Sequence, residues 1–249
     1  MGDGASVREM SLGQMTTTVS VERGATQGRL SELRSHGGRS PAATVLQGGD
    51  GDARPMAEAS RTTELLIRLL DISGSLAGLL LASPVIVLAA VCIRVTAGKP
   101  VLFRQERVGL KGKLFTLYKF RTMINDAEKH VGPVWASRND DRVTPIGRIL
   151  RKMRIDELPQ LFNILRGDMS LVGPRPERPF FVDRHRALQG LRLAVRPGLT
   201  GLAQIRGLYD LKPAHKVKYD CLYIQKRSLL LNIYILLRTI PALFTKMGW

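Results

Sequence analysis

The sequence predicts an α+β fold associated with a membrane, and three observations carry that prediction. Residues 72–93 form a stretch of 22 residues without a charge. Two β-prone runs, 101–108 and 114–120, flank a Gly- and Lys-rich loop suited to a hairpin. Apolar clusters at helical spacing recur between residues 146 and 244, punctuated by Pro and Gly. Together they describe an N-terminal re-entrant membrane helix of helix-break-helix form, a small β-hairpin, and several short and amphipathic helices linked by extended loops.

Residues 1–60 are rich in Gly, Ser, Thr and Ala and read as a disordered polar tail. The first apolar run begins only after Arg61, so no secretory signal is visible. Residues 61–98 are the membrane element. Its uncharged core exceeds the ~20 residues a helix needs to cross a bilayer. At its centre, Ser83-Pro84 removes a helix hydrogen bond and biases Ser83 away from helical angles. Basic residues lie on both flanks, Arg61 and Arg68 before it and Arg94, Lys99, Arg104 and Arg107 after it, whereas a single crossing collects them on one side. A helix that breaks at Ser83-Pro84 and returns to the leaflet it entered satisfies both observations. A Pro-kinked spanning helix and a buried soluble helix are the alternatives.

Residues 99–249 form the remaining domain, in which the hairpin is expected to supply the only regular strands near the membrane. Helical spacing over 146–153 and 158–165, with Pro159 in a first turn, places Asp156 at an N-cap. Pro174, Pro176, Pro179, Pro197, Gly198, Gly201 and Gly207 then imply irregular loops with short elements between them. Residues 217–244 read as one or two amphipathic helices able to lie on a headgroup layer.

The formal charge of +17 is uneven: residues 94–249 hold 30 Lys and Arg against 12 Asp and Glu, and residues 1–93 hold 8 against 9. A domain this basic attracts polyanions such as anionic lipids, nucleotide diphosphates or nucleic acid. Cys92 and Cys221 support neither a disulfide framework nor a Cys-based metal site, as expected of a cytosol-facing protein. His36, His130, His185 and His215 lack metal-ligand spacing.

The segment 154–177, RIDELPQLFNILRGDMSLVGPRPE, sets the carboxylates Asp156 and Glu157 among Arg151, Lys152, Arg154, Arg166 and Arg175. In isolation the pair reads as a helix cap and a first-turn acid. Amid arginines, adjacent carboxylates can divide phosphate chemistry, one attacking phosphorus and the other holding Mg²⁺, which lets a carboxylate approach a diphosphate. Guanidinium groups suit bidentate contact with phosphate. Arg175 is mounted rigidly between Pro174 and Pro176, and Lys119 and Arg121 aim charge from a strand end. Asp140-Asp141 reads as a polar turn, and Asp168 and Glu177 as residues that orient an arginine or a loop.

Together with KPVLFRQERVG, FTLYKFRTM and RPGLTGLAQIRG, this segment closely resembles the bacterial sugar transferase family, the small monotopic phosphoglycosyl transferases, over residues 61–244. The resemblance implies transfer of a sugar-1-phosphate from a UDP-sugar to polyprenyl (undecaprenyl) phosphate with release of UMP. The setting it implies is the cytoplasmic face of the bacterial inner membrane, as the first membrane step of exopolysaccharide synthesis, ahead of downstream glycosyltransferases. It implies Asp156 as a nucleophile that takes the phosphosugar covalently and Glu157 as its partner at Mg²⁺, both as metal ligands. It implies Arg151 and Arg175 as phosphate contacts, and Ser83-Pro84 as the break of the re-entrant helix. Lys119, Arg121, Arg154, Pro174 and Pro176 join them as expected substrate-binding positions. Phe162 stands where many members have Trp, and Asn232 where Asp is common. Large members carry a multi-helix membrane domain ahead of this module, so the polar tail here implies the minimal catalytic form.

Two other classes stay open on the residues alone: a membrane-tethered nucleic-acid-binding protein, motivated by the basic domain, and a non-catalytic scaffold of a glycan assembly complex. Few aromatics accompany the basic residues, so no nucleic acid is expected as partner. The acid pair argues against the scaffold.

Overall fold

Helix α1, Arg61–Thr96, continues across Ser83-Pro84 instead of breaking there as the sequence predicts. The computed structural model describes residues 60–129, 132, 134, 140–206 and 213–244, so the predicted tail lies outside them but for Ser60. The reason for the continuity is local. Pro84 lacks the N–H that would donate to the carbonyl four residues back, and that carbonyl, Leu80 O, accepts from the Ser83 hydroxyl at 2.7 Å. The dipeptide compensates its own defect.

One stripe of α1 packs along its length at about 3.6 residues per turn. In the first half Leu70 and Leu79 join the main core, while Gly74 and Gly78 lie beneath Leu171 and Leu161. In the second half Ala89 and Ile93, flanked by Ile86 and Ala90, close on Phe120 and Leu150. The opposite stripe is exposed and apolar: Leu65, Leu69, Leu76, Leu80, Leu81, Leu88, Val91 and Val95. Polar groups fix the docking. Buried Asp71 accepts from Ser170 Oγ at 2.9 Å and Leu171 N at 2.8 Å, and Arg68 donates to Ile164 O at 2.7 Å and Leu165 O at 2.8 Å.

Strands β1, Leu102–Val108, and β2, Leu114–Phe120, form the expected antiparallel hairpin, in register from Leu102 opposite Phe120 to Val108 opposite Leu114. Helix α2, Pro145–Lys152, begins as Pro at a first turn permits, with Thr144 Oγ1 accepting from Gly147 N at 3.1 Å. Gly147 is required because a Cβ there would stand 2.1 Å from Thr122 O, so α2 rests directly on the backbone two residues past β2. After α2 comes a 3-10 turn, Ile155–Glu157, and then α3, Gln160–Arg166. Asp156 therefore sits inside the turn and not at the N-cap predicted for it, because Pro159 occupies the position before α3 and gives no side-chain cap.

A second sheet was not anticipated: β3, Ser170–Val172, pairs in parallel with β4, Gly198–Thr200. Three residues each are too short to show a periodicity, and the pairing depends on Gly198, whose Cβ would meet Gly173 N at 2.0 Å. Between these strands lie α4, Pro179–Arg184, and two short 3-10 turns, Arg186–Leu188 and Gly190–Leu193. The described residues continue through α5, Leu202–Ile205, α6, Pro213–Gln225, and α7, Leu229–Phe244. The last buries Ile235 and Asn232 and exposes the largely apolar face of Leu230, Tyr234, Leu237 and Ile240. The main core joins β2, α3, β3, α5, α6 and α7 through Leu117, Leu161, Ile164, Val172, Leu202, Tyr223 and Ile235.

Candidate active site

The 3-10 turn Ile155–Glu157 is entered through Arg154, a non-glycine residue with φ 57°. That left-handed step sets the two neighbouring carboxylates in different surroundings. Glu157 is held by Arg175, whose Nη2 lies 2.6 Å from Oε1 and whose Nη1 donates to Oε2 at 3.5 Å, and by Arg154 at 3.6 Å. Asp156 is 7% exposed, and its Oδ1 has no hydrogen-bond partner among the described residues.

Electrostatics separate the two further. Burial, and next the charge of Glu157, push the Asp156 carboxyl above the ordinary carboxylate range, against the opposing pull of Lys119, Arg151 and Arg154. Burial also disfavours the Glu157 charge, but Arg175 and Arg154 outweigh it and hold that carboxyl well below the usual range. Lys119, on β2, is pushed down to about 8 by burial and by neighbouring Arg107, with Asp156 pulling the other way. Its ammonium lies 5.2 Å from the Phe103 ring centre.

The predicted residues divide accordingly. Lys119, Arg151, Arg154, Asp156, Glu157 and Arg175 form one electrostatic cluster. Buried Arg151 is oriented by Thr122, whose Oγ1 accepts from Nε at 2.8 Å. Pro174 and Pro176 frame Arg175, their carbonyls accepting from Gly198 N at 2.9 Å and Arg107 Nη1 at 3.0 Å. Arg121 is the correction. Its guanidinium donates to Ala97 O and Asn125 Oδ1, to Lys99 O at 2.8 Å and to Gly98 O at 3.0 Å, so it ties down the end of α1 and does not face the acid pair. A strand end that meets a helix C-terminus finds carbonyls to bind there, which sequence spacing does not disclose. Ser83 and Pro84 remain within α1, apart from this cluster.

Asp168 pairs with Arg166 at 3.3 Å and Glu177 with Arg107 at 4.0 Å, as orienting residues should, and Asp140 forms its polar turn by holding Arg142 at 2.6 Å. Sequence reasoning passed over Thr122 and Arg107, although both stand in the quoted motifs, and over the buried pair Arg192 and Asp220, for which no local signal exists.

Among the described residues no three or more His, Cys, Asp or Glu gather as a metal cage. A divalent ion would have Asp156 and Glu157 as its protein ligands, with phosphate oxygens and water completing the shell, an arrangement that suits Mg²⁺. The unpaired Asp156 Oδ1 fits that role.

Comparison with known proteins bears on this cluster. Residues 62–246 match the family model described as bacterial sugar transferase. A UDP-N-acetylgalactosamine-undecaprenyl-phosphate N-acetylgalactosaminephosphotransferase of Aeromonas hydrophila is 42% identical over 187 residues, covering 73% of this chain and 44% of that protein. A UDP-glucose:undecaprenyl-phosphate glucose-1-phosphate transferase of Caulobacter vibrioides is 45% identical over 190 residues, covering 73% of this chain and 71% of that protein. An uncharacterized sugar transferase of Bacillus subtilis is 39% identical over 186 residues, covering 74% of this chain and 90% of that protein. The chain thus spans under half of the Aeromonas protein and most of the other two.

Proposed function

The chain belongs to the bacterial sugar transferase family, and we propose that it transfers a sugar-1-phosphate from a UDP-sugar to undecaprenyl phosphate through a covalent intermediate on Asp156. The observation that carries this reading is the asymmetry of the acid pair: Glu157 is engaged by two arginines, while Asp156 keeps a buried oxygen with no partner among the described residues. A desolvated carboxylate with a raised pKa is the more basic and hence the better nucleophile.

In the first step an Asp156 oxygen bonds to the sugar-bearing phosphorus. The bond from that phosphorus to the bridging oxygen breaks, and its electron pair leaves with UMP. In the second step a phosphate oxygen of undecaprenyl phosphate bonds to the same phosphorus, the bond to Asp156 breaks, and the carboxylate is regenerated. Lys119, Arg151 and Arg154 supply positive charge where the phosphoryl oxygens gather. Arg175 keeps Glu157 ionised and in place. Mg²⁺ bound by Asp156 and Glu157 would neutralise the donor's diphosphate.

The membrane setting of this reading is the cytoplasmic face of the inner membrane, where the soluble donor and the lipid acceptor meet and from which downstream glycosyltransferases would take the product. Helix α1 is long and apolar enough to cross a membrane. Because α1 stays helical through Ser83-Pro84, a re-entrant course would require it to bend there within the bilayer. What supports such a course is that segments on both sides of Ser83-Pro84 pack on one domain, leaving an apolar stripe of α1, with the exposed apolar residues of α7, for lipid.

Membranes containing the protein, given a panel of UDP-sugars, undecaprenyl phosphate and Mg²⁺, should release UMP with at least one donor and form a lipid-linked sugar diphosphate. Absence of UMP with every donor would overturn the reading.

A further inference from the structure

The loop bearing Arg175 contains two prolines, and its carbonyls are held from outside one after another. Pro174 O accepts from Gly198 N at 2.9 Å, Pro176 O from Arg107 Nη1 at 3.0 Å, and Glu177 O from Val108 N at 3.0 Å. Arg175 O accepts from Nη2 of Arg192. Arg192 lies in the 3-10 turn Gly190–Leu193, and its Nε donates to Asp220 Oδ2 of α6 at 2.7 Å, with both side chains 4% exposed. One guanidinium is therefore shared between a buried carboxylate and the backbone of the residue whose own guanidinium grips Glu157.

A buried ion pair is a poor device for stability alone, since apolar residues of similar volume do as well or better. What this pair supplies is direction. Asp220 fixes the plane of the Arg192 fork, the fork fixes the carbonyl of Arg175, and Pro176 fixes the next φ. With its peptide plane set on both sides, Arg175 reaches Glu157 Oε1 at 2.6 Å. Sites of this kind work only when the supporting groups hold the reacting ones to ~0.5 Å.

We propose that Arg192, held by Asp220, is a positioning residue for the reaction: it sets the backbone at Arg175, and through it the Arg175–Glu157 ion pair beside Asp156. The inference rests on the phosphosugar-transfer reading above. It makes the seating of α6 part of the active site, although neither residue touches the acid pair itself.

The test is a mutant cycle on membrane-embedded protein, read as UMP release with a donor that the wild type accepts. Arg192→Met combined with Asp220→Leu removes both charges together and leaves no orphan charge buried. With the melting temperature unchanged, kcat should fall about 10- to 100-fold, the usual effect of removing a group that orients an active-site ligand, while the donor KM moves much less. Added to Arg175→Ala, the same two changes should cost nothing more, because Arg192 acts through Arg175. Losses that multiply, or a folded Arg192→Met/Asp220→Leu variant with wild-type kcat, would overturn the proposal. Where that variant does not fold, Arg192→Lys keeps a cation opposite Asp220 but loses the planar fork, and the same two readings apply to its cycle. Failure of the underlying reading shows separately, as a wild type that releases UMP from no donor.

Discussion

Arg175 Nη2 lies 2.6 Å from Oε1 of Glu157 across 18 residues of sequence. The contact neutralises one member of the acid pair, while the other, Asp156, keeps a buried Oδ1 with no hydrogen-bond partner among the described residues. A pair that looks symmetric in sequence is thus asymmetric in space, and each variant of it has its own expected outcome.

Asp156→Asn should abolish UMP release and the trapping of labelled phosphosugar on the protein. It should also stabilise the fold at neutral pH. Because the folded carboxyl is raised above its unfolded value, folding favours the protonated form, and its stabilising share is complete at low pH and lost as pH rises through the folded pKa. Above that point the buried charge opposes folding, so the variant should melt higher than wild type there, with the gain vanishing in acid. Equal melting temperatures at neutral pH would show that Asp156 is not strained by its burial.

The acid limb of activity follows from the same shift. Attack needs the ionised carboxylate, so the rate should fall as pH drops through a value above the roughly 4 of an ordinary aspartate. A pH profile of kcat/KM for UMP release at sub-saturating Mg²⁺, which reports the metal-free enzyme, whose acid limb lies at or below that ordinary value would contradict the nucleophile assignment.

Arg175→Ala leaves Glu157 with Arg154, 3.6 Å away, as its ion-pair partner among the described residues, and should lower the rate about 10- to 100-fold. Arg175→Lys should fall between, since a point charge does not bridge both carboxylate oxygens as the fork does. Steady-state UMP release decides this, and an alanine variant as fast as wild type would make the contact dispensable.

Asp71→Ala removes the acceptor shared by Ser170 Oγ and Leu171 N and should cost ~1–3 kcal/mol by leaving buried donors unpaired. Asp71→Asn keeps an acceptor oxygen and should cost much less. Thermal melts of detergent-solubilised protein compare the two, and indistinguishable melts would show that α1 is seated by its apolar stripe alone.

Membrane course can be read by cysteine labelling at Ser60→Cys and Lys99→Cys in a chain carrying Cys92→Ser and Cys221→Ser. Both sites should label from the cytoplasmic side. Labelling from opposite sides would mean that α1 spans the bilayer.

Much of this was legible because it depends on neighbours in the chain. An uncharged run sets a long apolar helix, two β-prone runs around a Gly- and Lys-rich loop set a hairpin, and Thr144 with Pro145 starts a helix, each from residues close together in the chain. Arg121 misled for the opposite reason: its position at a strand end suggested a charge aimed at substrate, whereas the carbonyls of residues 97–99, more than twenty positions away, take up its donors. Asp156 likewise resembled a cap until the left-handed step at Arg154 turned it into a tight 3-10 loop.

From the sequence alone came the long apolar helix, the hairpin, the basic domain and the four cations that gather around the acid pair. Tertiary structure decided how the pair divides its labour, because that depends on which arginine comes from a distant loop and which oxygen burial leaves without a partner. It also decided that Ser83 repairs the helix at Pro84, that β3 pairs with β4 and that Arg192 joins Asp220 to Arg175. Desolvation and long-range hydrogen bonds act between residues far apart in the chain, and residue order encodes them only through the completed fold.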